Sequence, residues 1–410
     1  KRCIIMNIIL MAIPLFFSLI AIEMLINYLK GTHYYRLNDA INSLSMGMLS
    51  RVMGAMYALV PFSLYAYSYE SYALFTWEDN WTTYIIAFIL YDFCYYWNHR
   101  IGHVINIGWA SHVIHHSSEE YNLTTALRQT SIPNPIGALC FVPLAFFGFE
   151  PWLLLAVGSL NLIYQYWVHT QVINRMPEWF EAVFVTPSNH RVHHAKNKIY
   201  VDKNYGGVFI LWDRIFNTFQ PELKEEKVIF GISTQLASWN PIWGNIKVLS
   251  NLMKDAWHTE SWADKLTIWF RKTGYRPADV EAKFPIIKSN GATEKFNPAL
   301  STKTKVYIFL QYLYIAPGLV TFMALIKNMS PIEVIVSGVT LAFALFSLGK
   351  VQENSPSSTW LETIKFIMCI ATVAWIFPNN INETIAVSAV SLISLLFFIT
   401  IKKERAMVTS

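Results

Sequence analysis

Eight of the chain's eleven histidines fall in three short clusters: His99 and His103 in HRIGH, His112, His115 and His116 in HVIHH, and His190, His193 and His194 in HRVHH. A ninth, His169, follows an apolar run in YQYWVHT. Residues three and four apart share one face of a helix, so each cluster can aim at least two imidazoles at one point where its segment is helical. Successive residues diverge by about 100° on a helix of ~3.6 residues per turn. His115 and His116 therefore point apart, as do His193 and His194, and such pairs serve two ions more easily than one. Nine histidines also exceed the ligand set of a closed zinc site. The pattern reads as a dinuclear centre with open or water-filled positions.

Imidazole suits zinc, copper, iron and nickel. Zinc has no redox chemistry, and a site beside lipid that attacks C–H bonds favours two irons, with zinc able to displace ferrous iron during purification. His33 and His258 are isolated and read as ordinary surface or interface residues.

The elements that must hold this centre are membrane helices. The 410 residues are 54% hydrophobic and 14% charged, against about 25% charged in a soluble domain. That balance indicates an all-α, polytopic membrane protein. The net charge of +5 fits basic loops near anionic lipid. Nucleic-acid binding is not indicated, because no basic cluster is interleaved with base-stacking aromatics. Cys3, Cys94, Cys140 and Cys369 lack paired spacing, so neither a disulfide framework nor a thiolate site is expected. No cleavable signal peptide stands out, and the first apolar run is long enough to remain a membrane helix.

Apolar windows near 4–29, 42–68, 82–98, 133–149, 151–169, 305–326, 332–349, 360–377 and 383–401 give about nine transmembrane or half-inserted helices at roughly 20 residues per crossing. Arg51 interrupts the second, and Pro133, Pro135 and Pro143 kink the fourth. With the His99 end of the third span in the cytosol, His169 and the polar stretch 170–303 return to the same side. All nine histidines then cap one face, together with Lys30, Arg36, Arg100, Arg128, Arg175, Arg191, Lys402, Lys403 and Arg405, as the positive-inside tendency requires.

Four regions follow: N-terminal membrane helices over 1–84, a catalytic region with the histidine clusters and a membrane hairpin over 85–235, a cytosolic amphipathic helix and linker over 236–303, and a four-helix membrane region over 304–410. Within 241–258, Ile246, Leu249, Leu252, Met253 and Ala256 form an apolar stripe. Trp243 and Trp257 could anchor that helix at lipid headgroups, or its stripe could pack on the catalytic region.

The motif set resembles the membrane fatty-acid hydroxylase and sterol desaturase superfamily, and within it the ether-lipid-cleaving branch. The words that carry the resemblance are DFCYYWNHRIGH at 92–103, NIGWASHVIHHSSEEYNLTTALRQ at 106–129, YQYWVHTQVIN at 164–174, TPSNHRVHH at 186–194 and DKNYGGVFILWDRIFNTF at 202–219. The resemblance implies a di-iron centre on His99, His103, His112, His115, His116, His169, His190, His193 and His194. It also implies tetrahydrobiopterin as electron donor and hydroxylation of the ether-linked carbon of a glyceryl ether. The hydroxylated product would collapse to a fatty aldehyde and a glycerol derivative. One position departs: the animal enzymes carry Glu directly after HxxxH, where this chain has Val104, with Glu119 or Glu120 as possible compensation.

Ligand imidazoles usually donate their second nitrogen to a carboxylate, carbonyl or water. Asp92, two helical turns before His99, is one candidate acceptor, with a helix-packing hydrogen bond as its other role. Glu120, Asn122, Arg128, Asn204, Tyr205, Trp212 and Asp213 lie in the family-like words and read as structural support or site contacts.

The expected protein is thus an integral membrane oxygenase with its site on the cytosolic side, in the endoplasmic reticulum if eukaryotic or the inner membrane if bacterial. Its partners would be a lipid substrate, the membrane and a reductase or pterin-recycling system. Its oligomeric state is open. A sterol, acyl-chain or carotenoid hydroxylase or desaturase fed by a protein donor is the alternative. A metal transporter or zinc-stabilised membrane scaffold is the non-enzyme alternative, which wide separation of His99, His112 and His190 would revive.

Overall fold

The computed structural model describes the backbone of residues 8–57, 59–134, 136–289, 291–292 and 294–409. The expected start of the first span at residue 4, and Pro135, lie outside the described residues. In chain order the helices are α1 (Ile8–Leu29), α2 (Leu37–Tyr57), α3 (Leu59–Tyr72), α4 (Trp81–Val104), α5 (Asn106–His116), α6 (Leu123–Ala126), α7 (Val142–Phe146), α8 (Pro151–Trp167) and α9 (Glu178–Val183). They continue as α10 (Pro187–His193), α11 (Leu211–Ile215), α12 (Pro241–His258), α13 (Trp262–Thr267), α14 (Ala278–Lys283), α15 (Thr302–Leu325), α16 (Pro331–Gln352), α17 (Ser358–Ile376) and α18 (Ile381–Thr409). Among the described residues, strand pairing is limited to isolated bridges at Ile105–Lys272, Phe184–Phe209 and Ala195–Phe230.

Two compact units emerge. One comprises Lys1–Arg36, Ala58–Leu236 and Asn245–Glu294, and contains every histidine cluster. The other comprises Leu37–Tyr57, Ala237–Gly244 and Lys295–Ser410. Its core joins Ile41 and Leu49 of α2 to Tyr307 and Ile308 of α15, Leu348 of α16 and Phe398 of α18. A fully buried ion pair, Glu362 with Lys365, sits inside this unit. Tyr307 and Ser347 donate to the carboxylate, and Lys365 Nζ donates to Gln311 Oε1 at 2.7 Å, so the buried charges are met by hydrogen bonds.

The apolar helices make this an integral membrane protein, and among the described residues they account for part of the expected set of about nine transmembrane or half-inserted helices. Five described segments are long and apolar enough: Met11–Leu29, Thr302–Asn328, Pro331–Gln352, Ser358–Ile376 and Ile381–Lys403. The pair α2 and α3 supplies a sixth if counted as one span. The proline-containing window 133–149 gives only a 3₁₀ turn at Gly137–Phe141 and the five-residue α7. Helix α8 has 17 residues, short of the roughly 20 a crossing needs. Helix α4 is long enough, but Asp92, Asn98, His99 and Arg100 make its second half polar.

Local sequence fixes the elements that carry the clusters. Asn80 caps α4 by accepting from Thr83 N at 3.0 Å. Helix α4 stops where Ile105 turns extended, and α5 starts at once. Gly108 permits the close return: a Cβ there would lie 2.4 Å from Ile101 O. Thr186 and Asn189 form a capping box ahead of α10, with Pro187 in its first turn.

The stripe on α12 divides. Leu249, Leu252 and Ala256 pack with Val248 against Ala110 and Ile268, whereas Ile246 and Met253 are exposed, as is Trp257. The inner face therefore docks on α5 of the histidine-bearing unit.

Candidate metal centre

Helices α4, α5 and α10 and the end of α8 bring all nine histidines together in two groups. His99, His103, His112, His116 and His193 form one; His115, His169, His190 and His194 form the other. Within each group the possible ligand nitrogens lie within 4.8 Å of one another. The neighbours His115 and His116 fall in different groups, as do His193 and His194, the outcome expected from their helical divergence. His116 and His194 stack across the boundary with ring centroids 4.3 Å apart. His99, His112 and His190 are not widely separated, so the spacing that would revive a transporter or scaffold is not found among the described residues.

Four of the nine rings are oriented by backbone carbonyls. The Nδ1 atoms of His99, His115, His169 and His193 face the carbonyls of Tyr205, Arg128, Gln165 and Lys203 at 2.8, 2.9, 2.8 and 2.9 Å. A carbonyl only accepts, so each Nδ1 carries the proton and each Nε2 presents a lone pair. Those lone pairs converge. The Nε2 atoms of His115 and His169, both lone pairs by this assignment, lie 3.2 Å apart, and His112 Nε2 and His190 Nε2 approach those of His99 and His169 at 3.0 and 3.1 Å. Two lone pairs at that distance repel unless a cation lies between them. With metal–nitrogen bonds of about 2.1 Å, adjacent ligands at right angles are about 3.0 Å apart, so the spacing fits a shared ion. The Nε2 atoms of His103 and His193 are buried without a hydrogen-bond partner, an expensive condition that a metal would relieve.

Electrostatics agree. Burial drives His115 down to about 4, against the carbonyl of Arg128, which favours its charged form. Burial, then the neighbouring imidazoles, holds His112, His116, His190 and His194 well below the usual histidine range. The rings are neutral at pH 7, the form that binds a metal.

The remaining expected residues build the frame. Asp92 accepts from Val208 N (2.9 Å), Phe209 N (3.0 Å), Trp212 Nε1 (3.0 Å) and Asn161 Nδ2 (2.6 Å). It therefore pins the loop after α10, the packing role, and Trp212 is one of its donors. Asp213 accepts from Tyr205 N and Gly206 N, both at 2.7 Å, and from Thr218 Oγ1 at 2.7 Å. Burial pushes its carboxyl up to about 6 in spite of those bonds. Asn204 donates to Asn189 O and Gln220 O. These contacts hold Lys203 and Tyr205, whose carbonyls orient His193 and His99.

The Tyr205 ring itself lies 5.3 Å from that of His103. Arg128 turns His115 with its carbonyl while its guanidinium grips Ile114 O and Ser117 Oγ. Asn122 caps α6 and donates to Tyr34 O at 2.7 Å. Glu120 pairs with Arg36.

Residues 84–218 match the fatty acid hydroxylase family. The chain is 34% identical to the alkylglycerol monooxygenase of Homo sapiens over 362 residues, 87% of this chain and 80% of that protein. It is 33% identical to that of Xenopus tropicalis over 357 residues, 86% and 79% respectively. The chain belongs to the alkylglycerol monooxygenase family. A more distant relative is the ornithine lipid hydroxylase of Rhizobium tropici, 27% identical over 176 residues, 42% of this chain and 52% of that protein. No solved structure matches the chain.

Membership in the alkylglycerol monooxygenase family makes this protein an oxidoreductase, and the all-imidazole donor set within a fatty acid hydroxylase region indicates iron. Around Val104 the backbone is tied to the 271–273 segment: Val104 O accepts from Thr273 N at 3.0 Å, and the Thr273 hydroxyl donates to His103 O. Glu119, the other possible compensation, pairs with Arg36 and accepts from Gln235 Nε2 at 2.6 Å. Sequence reading missed Thr273, Gln165 and Lys203. The latter two act through backbone carbonyls, which leave no residue-type signal.

Proposed function

We propose that the chain is a membrane di-iron monooxygenase that hydroxylates the ether-linked carbon of glyceryl ether lipids. Hydroxylation there gives a hemiacetal that splits into a fatty aldehyde and a glycerol derivative. The observation that carries the reading is the pair of interlocked histidine groups, with inward Nε2 atoms 3.0–3.2 Å apart. Two irons bound there would supply the activation of dioxygen.

The nine histidines would hold the metals, His99, His103, His112, His116 and His193 one and His115, His169, His190 and His194 the other. The carbonyls of Tyr205, Arg128, Gln165 and Lys203 keep the donor nitrogens unprotonated and aimed inward. Eight of the nine rings are buried and His112 is part-buried, so bulk water is held away from the reacting carbon. Asp92 and Asp213 keep the carbonyl-bearing loop in place.

Tetrahydrobiopterin is the proposed electron donor, supported by the length of the match to the alkylglycerol monooxygenases. A pterin-recycling or reductase system would restore it. The basic residues around the clusters favour a cytosolic site, in the endoplasmic reticulum of a eukaryote or the inner membrane of a bacterium.

The test is product analysis. Anaerobically iron-loaded protein, given oxygen, tetrahydrobiopterin and an alkylglycerol, should release fatty aldehyde in step with donor oxidation. The similarity to an ornithine lipid hydroxylase supplies the competing outcome. Hydroxylation of an acyl or sterol substrate with a protein donor, and no aldehyde from the ether, would replace this reading.

A further inference from the structure

Glu23 lies within the first membrane span and is 3% exposed. A carboxylate there is costly unless its oxygens are met by donors. Three meet it: the Thr170 hydroxyl donates to Oε1, the Tyr35 hydroxyl to Oε2, and Leu123 N to Oε2 at 2.9 Å. An ionised carboxylate accepts at both oxygens and donates at neither, so it suits three converging donors.

The donors sit at informative places. Thr170 directly follows His169. Leu123 opens α6, the helix that leads into Arg128, whose carbonyl turns His115. His115 and His169 belong to the same group of four and face each other at 3.2 Å. One carboxylate on α1 therefore grips both segments that aim this pair. Nearby ties of a different kind also join these elements: Tyr166 OH donates to Phe16 O at 2.8 Å, and the two rings stack 4.1 Å apart.

We propose that Glu23 is a positioning residue for the four-histidine metal position. It acts through Thr170 and Leu123 and leaves the five-histidine position to other supports. The inference rests on the dinuclear reading of the centre.

Substitutions separate this role from general docking of α1. Glu23→Gln replaces one acceptor oxygen with an amide donor, so a donor must then face a donor. Thr170→Val removes one bond with little change of shape, and Thr170→Ser keeps the hydroxyl. Tyr166→Phe removes a tie between α1 and α8 without touching the carboxylate.

The experiment is anaerobic Fe²⁺ titration of the metal-free full chain in lipid nanodiscs, read as iron per chain and by Mössbauer spectroscopy. Wild-type protein should take up about two irons. Glu23→Gln and Thr170→Val should each weaken one iron by roughly 10- to 100-fold and spare the other, the usual range for losing an outer partner. Thr170→Ser should recover it, and Tyr166→Phe should retain both.

Glu23→Gln and Thr170→Val proteins that bind both irons as wild type does would overturn the Glu23 assignment alone. So would equal loss of both irons, or loss of the same iron in Tyr166→Phe. A wild-type chain that takes up fewer than two irons would overturn the dinuclear reading and this inference with it.

Discussion

His115 and His169 present their Nε2 atoms to each other at 3.2 Å, while the Nδ1 of each donates to a backbone carbonyl, of Arg128 and of Gln165. Both inward atoms are lone pairs, and a cation between them would relieve their repulsion. His169→Ala should therefore remove one iron per chain and lower turnover by more than about 100-fold, beyond the usual effect of losing an outer partner. Metal analysis alongside aldehyde release checks both halves.

The buried imidazoles give the metal-free protein a defined pH response. Their folded pKa values lie below the unfolded value of about 6.5, so the unfolded chain binds more protons in the interval between them. Their contribution is whole above pH 6.5 and is lost as pH falls toward about 4, the value for His115. Melting of the apo-protein in detergent should move to lower temperature between pH 7 and pH 5. A melting temperature that rises over that interval would contradict the assigned neutral rings.

Asp213 gathers Tyr205 N, Gly206 N and Thr218 Oγ1, and Tyr205 O holds His99. Asp213→Asn would turn an amide donor toward one of those donors, at a cost of about 1–3 kcal/mol for a buried unsatisfied group. The expected result is lower thermal stability with weaker binding of the iron held by the five-histidine group. Equilibrium metal titration, with melting curves on the same samples, reads both.

Gly108→Ala would place a methyl 2.4 Å from Ile101 O at the elbow between α4 and α5. The helices carrying His103 and His112 would have to separate, costing about 1–3 kcal/mol as overpacking does. Iron content should fall in proportion to the loss of folded protein, and alanine at the exposed Met253 should change neither.

Much of the centre was legible because helical spacing is a strong constraint. The i, i+3 and i+4 pattern selected the eight clustered histidines, and the divergence of His115 from His116 foretold their division between two groups. The Nδ1 partners were not legible, since Gln165, Lys203, Tyr205 and Arg128 act through carbonyls that every residue possesses.

Glu23 left one overlooked signal, a carboxylate within a span, but its link to Thr170 joins residues far apart in the chain. Hydropathy registers apolar runs without measuring helix length, so it did not distinguish a full crossing from the short 3₁₀ and α-helical stretch within 133–149. Likewise the apolar stripe of α12 left open whether it met lipid or the catalytic region, and only part of it packs on the latter.

Mössbauer spectroscopy with metal analysis of the anaerobically iron-loaded chain tests the central claim most directly. Two imidazole groups in contact should hold about two irons per chain, resolved as two sites for the five- and four-histidine sets. A single iron, or no specific uptake, would contradict the dinuclear centre.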